Sequence, residues 1–190
     1  MNGSPNKRLR TSSANLGASL NLLLRRMVAY GIDIVLLFVI LAPVGFLAQW
    51  ILGLPLPQTG PMIWRTLLWN FSLPAWLYFI GSDASATGAT LGKRLLHLHV
   101  QTVTQHRLAV GQALLRTAIK LLPWELVHLS AFALATDLSQ FSLWQTLGLG
   151  TANVLVLLYV VVAGFYGGRC SVHDWVAKTE VRRESAHEAL

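Results

Sequence analysis

The chain contains two long stretches without a charged side chain, 34–64 and 138–168. Each exceeds the roughly 20 residues that a helix needs to cross a bilayer core. Their polar positions do not recur at helical spacing, so neither offers the polar face that a surface helix of a soluble protein requires. The pattern predicts an all-α, polytopic helical membrane protein with about four transmembrane helices, at 27–50, 62–82, 117–136 and 147–166. The second has a charge-free run over 66–82 and Arg65 at its edge, whose long stem can snorkel to the headgroups. The third carries Lys120, Glu125 and His128, which leaves a re-entrant or interfacial helix as the alternative. Turn-rich linkers, 51–61 with three prolines and 137–146, join the first and last pairs. The one long polar segment is the central loop 83–116, whose end, 108–122, reads as a helix leading into the third span.

Composition agrees with this class. Of 190 residues, 54% are hydrophobic and 12% charged, against about 25% charged in an ordinary soluble domain. The net charge of +7 would suggest nucleic acid if the basic residues formed one patch. They do not. Lys7, Arg8, Arg10, Arg25 and Arg26 precede the first span, and Lys93, Arg94, Arg107, Arg116 and Lys120 lie in or beside the central loop. Arg169, Lys178, Arg182 and Arg183 follow the last span, and only Arg65 falls near the other side. By the positive-inside rule both termini and the central loop are expected to be cytoplasmic, with no nucleic-acid partner. Residues 1–21 are expected to form a disordered basic leader, 22–182 the membrane domain and 183–190 a tail. The single cysteine, Cys170, excludes an intrachain disulfide and a Cys-rich metal site.

Scarcity of charge makes the remaining charges informative. Asp33 lies about two turns inside the first span, where an unpaired carboxylate costs about 2.5 to 3.5 kcal/mol. Arg26 is seven residues earlier, on the same helix face and roughly 10 Å away, so a third partner or a water is expected between them. Two readings stand side by side: an ion or proton site, or a polar clamp to another helix or to lipid phosphate. Glu125 and His128 stand at i and i+3, which suits a proton-titrating pair or a hydrogen bond that makes the carboxylate tolerable in lipid. A carboxylate-bridged metal bundle needs a second such motif, so no metal or other cofactor is expected. Gly88 to Arg94 is not a phosphate loop, because three residues separate its glycines and Arg follows the lysine. Lys93 and Arg94, with His97, His99, His106 and Arg107, form a basic cytoplasmic segment that reads either as a solvated positive-inside loop or as one that rests on anionic headgroups. No nucleophile and base occur at a recognisable spacing, so an enzyme is not expected. Gly164 and Gly168 make a GxxxG that would suit a homo-oligomer or a membrane partner.

Three separated blocks share one further pattern. Arg26-Met-Val-Ala29-Tyr-Gly-Ile-Asp33, Thr90-Leu-Gly92-Lys93-Arg94 and Arg169-x-x-x-His173-Asp174-x-x-Ala177-x-Thr179 resemble, in order, the motifs of the RDD family of membrane proteins. The resemblance extends over about residues 22–182 and implies a small helical inner-membrane protein for which transport or ion exchange has been suggested. It makes Arg26, Asp33 and Asp174 the expected polar cluster, with Glu125, His128, His173, Arg169, Lys93 and Arg94 as secondary candidates. The sequence departs from the family pattern at His97 and Lys178, where the family has Gly, and at His99, often Arg. Two functions follow. One is a transport component that binds a cation or proton at the cytoplasmic side; the other is a non-transporting adaptor whose basic loop docks a partner or anionic lipid.

Overall fold

The computed structural model describes residues 5–135 and 140–183, with side chains from residue 17 on. It is mostly helical. Helix α1 (Pro5–Ile51) comes first, and its segment Gly17–Ile51 is long and apolar enough to cross a membrane. Residues 5–21, expected as an unstructured leader, are part of this helix; 1–4 and the tail 184–190 lie outside the described residues. The second predicted span is a broken rod of α2 (Gly60–Leu67), a π turn (Leu68–Ser72) and α3 (Leu73–Ala84). Pro74 explains the break, because its ring has no N–H to give and would crowd the carbonyl four residues back; the wider turn relieves both. The third predicted span begins early, as α5 (Val110–His128), and ends in a second π turn (Leu129–Ala133). Helix α6 (Leu143–Phe165), capped by Ser142 and Gln145, is the second helix long and apolar enough to cross a membrane.

The central loop is not the plain polar connection that its composition suggests. It contains α4 (Leu91–Leu95), with Thr90 as N-cap, and strand β1 (Leu98–Thr102). After α6 come α7 (Val172–Ala177) and strand β2 (Thr179–Arg183). The two strands pair antiparallel, Val100 opposite Val181, which corrects the all-α expectation. The alternation was present in both strands, Leu98, Val100 and Thr102 facing inward as Thr179 and Val181 do, but five residues each is a short signal. This hairpin of distant segments ties the central loop to the tail.

Two apolar cores result. Ala29, Leu98, Val100, Leu108, Ala113 and Val181 pack where the strands meet α1 and α5, and Leu37, Phe71, Ala75, Phe79 and Leu121 pack between the helices. Outside them the molecule is apolar outward. On α6 the buried positions are Gln145, Ala152 and Ala163, whereas Leu157 and Phe165 are exposed. Small and polar residues inside with large apolar residues outside is the reverse of a water-soluble helix and suits lipid. Gly168 does not serve an intermolecular GxxxG, because the space its Cβ would need is taken by the backbone of Leu23, 2.6 Å away.

Candidate functional site

Asp33 is 1% exposed and fully hydrogen-bonded. Its Oδ1 accepts from Tyr78 Oη at 2.7 Å and from the Gly92 amide at 2.8 Å, and its Oδ2 accepts from Thr90 Oγ1 at 2.6 Å. Thr90 also accepts from the Lys93 amide as N-cap of α4. The Thr90-Leu-Gly92 turn therefore dips from the central loop onto α1 and supplies the donors that a carboxylate inside a helix bundle needs. Only glycine fits there, since a Cβ on residue 92 would stand 2.1 Å from the Ala29 carbonyl oxygen.

Among the described residues no side chain bridges Arg26 to Asp33. Arg26 turns instead to the tail. Its Nη2 lies 2.5 Å from Asp174 Oδ2 and its Nη1 donates to the Gly168 carbonyl at 2.8 Å. Asp174 is 0% exposed and is placed by the α7 N-terminus, where it also accepts from the Ser171 amide. Its other oxygen faces Arg116 on α5, at 2.9 Å from Nε and 2.8 Å from Nη2. Arg116 is itself buried and reaches on through Nη1 to Asp83 at the end of α3, while Lys93 Nζ completes Asp83 at 2.6 Å. The result is one alternating chain of charge, Arg26, Asp174, Arg116, Asp83 and Lys93. It links α1, α7, α5, α3 and α4.

The electrostatics follow from this alternation. Burial alone would raise the Asp174 carboxyl, yet Arg116 and Arg26 hold it well below the usual carboxylate range. Burial pushes the neighbouring His173 ring well below its usual range; Asp174 pulls the other way, and Arg116 and Arg26 add to the depression. His173 is thus neutral near pH 7, with Nε2 3.4 Å from Arg26 Nη2 and a buried Nδ1 that has no partner among the described residues. Burial also raises the Cys170 thiol, which disfavours its thiolate.

The secondary candidates separate. Lys93 is 7% exposed and paired, so it is not a headgroup contact; the loop folds inward because Asp83 needs it. Arg94 Nε caps the Ala89 carbonyl at 3.2 Å. Arg169 lies with Arg25, Arg182 and Arg183 along a basic groove between α1 and β2, where the cationic surface expected of the central loop is found. Glu125 and His128 do not hydrogen-bond to each other. Glu125 accepts from Ser72 Oγ at 3.1 Å and Trp76 Nε1 at 3.0 Å, whereas the His128 ring packs edge-on against Trp124. Indole and hydroxyl donors on the neighbouring rod, invisible to a one-helix reading, make that carboxylate tolerable.

Beside the charged chain lies a cavity of about 440 Å³ between α1, α5 and α6. Arg26, Asp33, Lys93, Arg116, Lys120 and His173 reach its wall, which is otherwise mainly apolar. Sequence reasoning missed Asp83, Arg116 and Lys120 as members of the site, although Arg116 and Lys120 stack at i and i+4 on one helix.

The three blocks thus meet at one end of the bundle, the first on α1, the second on α4 and the third on α7. A model of the RDD family matches residues 20–178. The chain belongs to the RDD family. No curated protein and no solved structure matches it. RDD proteins are membrane proteins, in agreement with the apolar outer faces of α1 and α6. In this RDD chain Arg26, Asp33 and Asp174, which belong to the first and third blocks, serve two adjoining arrangements: Asp33 holds the loop, and Arg26 with Asp174 holds the tail.

Proposed function

We propose that this RDD protein crosses the inner membrane four times with both termini cytoplasmic, and that it is a non-transporting adaptor whose charged residues clamp the cytoplasmic ends of its spans. The observation that carries this reading is the saturation of its acids. Asp33 accepts from three donors, Asp83 from Lys93 and Arg116, and Asp174 from Arg26, Arg116 and the Ser171 amide. A cation pathway needs carboxylate oxygens that a cation can reach and leave. Here each is committed to a donor on another segment. The basic groove of Arg25, Arg169, Arg182 and Arg183 supports contact between the cytoplasmic face and anionic headgroups.

Transport by a cation or proton site is the second reading, favoured by the cavity that reaches Asp33. Proteoliposomes loaded with pH- and cation-sensitive dyes separate the two. The adaptor reading predicts no flux above that of empty vesicles from the wild type, and an Asp33→Asn variant that is recovered in lower folded yield. Proton or cation flux through wild-type vesicles overturns it, and loss of that flux in Asp33→Asn would assign the pathway to this carboxylate.

A further inference from the structure

The cavity has a chemistry that the clamp leaves unused. Its lining extends from Leu23 to Asp33 on α1, from Arg116 to Val127 on α5 and from Ala152 to Ala163 on α6, about 15 Å along each helix. Its charged members sit toward the end where the loop and tail pack, and Val127, Ala152 and Val156 form the far end. The volume, about 440 Å³, falls in the range of small-molecule sites, about 300–1,000 Å³.

Charge is unbalanced there. Arg26, Lys93, Arg116 and Lys120 stand against Asp33, Asp83 and Asp174, and the surplus cation is Lys120. Among the described residues no carboxylate lies within ion-pair distance of its ammonium, which rests 3.5 Å over the Phe79 ring and 4.8 Å over that of Tyr30. A second group is also unspent. His173, 8% exposed, lines the same cavity with the partnerless Nδ1. Its Nε2 lies 3.4 Å from both Arg26 Nη2 and Asp174 Oδ2, and the buried Nδ1 without a partner among the described residues marks an unmet hydrogen bond.

We propose that this cavity binds an anionic single-chain amphiphile, its oxyanion headgroup held by Lys120 at the charged end and its acyl chain laid between Val127 and Val156. The inference rests on the adaptor reading, in which the acids are structural and the cavity is free for a ligand. A carboxylate or a phosphate meets the charge requirement equally; the graded wall requires the chain attached to it.

The test is saturable binding of radiolabelled oleate to the full-length protein in phosphatidylcholine nanodiscs, with lysophosphatidate, monoolein and inorganic phosphate as competitors. Saturation at one oleate per protein is expected, with displacement by lysophosphatidate and none by monoolein or phosphate. Lys120→Met weakens binding about tenfold or more, as loss of a charge-assisted contact does, and Lys120→Arg restores it. Val156→Trp fills the apolar end and abolishes binding with all charges intact. Thermal unfolding selects the variants that are folded, and either one suffices. Absence of saturable binding to the wild type, or wild-type affinity in a folded Lys120→Met or Val156→Trp variant, overturns the proposal. Displacement by phosphate as effective as by lysophosphatidate assigns the site to a free anion and also overturns it. Flux through vesicles tests the underlying reading separately, so its failure is told apart from a failure of the binding proposal.

Discussion

The backbone amide of Gly92 donates to Asp33 Oδ1 at 2.8 Å, across 59 positions of chain, with the Ala29 carbonyl closing the space above it. This contact fixes how deeply the central loop enters the bundle. Gly92→Ala puts a methyl 2.1 Å from that carbonyl and 2.9 Å from the carboxylate, so backbone must move and the hydrogen bond is lost. The expected destabilisation is about 3 kcal/mol, at the upper end for overpacking, read as a lower thermal midpoint in detergent. A midpoint equal to wild type would show that α4 does not rest on α1.

Arg116 bridges Asp83 and Asp174 from inside the bundle. Arg116→Met leaves two buried carboxylates each short of a partner and is expected to cost about 3 to 5 kcal/mol. Asp83→Asn in the same background should recover part of that loss, because the uncompensated charge is then removed. Chemical denaturation of the wild type and the two variants measures both effects.

The neutral, buried His173 couples stability to pH. Its folded-state pKa is depressed, so the unfolded chain binds a proton that the native chain refuses. Stability is therefore fully present above the unfolded value of about 6.5 and falls as pH drops below it, with a slope of up to about 1.4 kcal/mol per pH unit. Asp174, likewise depressed, adds an acid-side loss below about pH 4, the usual range of an unfolded aspartate. Thermal midpoints of wild type and His173→Gln between pH 8 and 5 test the first component; the slope should be shallower in the variant.

Lys178 has φ 54° and ψ 48°, immediately after α7, and His97 has φ 53°, just before β1. Both are left-handed, a conformation that costs a non-glycine residue about 1 to 2 kcal/mol, and both are places where the family pattern has glycine. Lys178→Gly is expected to stabilise by about 1 kcal/mol, measured as a rise in thermal midpoint.

Much of this architecture could be read from the sequence because lipid imposes a coarse rule. Charge-free runs marked α1 and α6, and the three motif blocks marked the residues that meet at one end. Pairing was less legible. Arg26 and Asp33 share a helix face, which suggested a joint site, but each found a better partner on a segment far away in sequence. Asp83 and Arg116 stood at the two boundaries of the supposed loop and looked like ordinary interfacial charges. They are buried where the loop and tail fold back on the helices, an arrangement that includes β1 pairing with β2 across about 80 positions and that helical periodicity cannot report. Lys93 read as solvated for the same reason.

The clamp is tested most directly by a double-mutant cycle on Arg26 and Asp174, the pair that joins α1 to the tail. Unfolding free energies of Arg26→Met, Asp174→Asn and the double variant, in one detergent at pH 7.5, give the coupling. The clamp predicts that the double variant is more stable than the sum of the single losses by about 1 to 3 kcal/mol, the range of residues in one ion-pair network. Losses that add within about 0.5 kcal/mol would contradict it, since two independent sites behave that way.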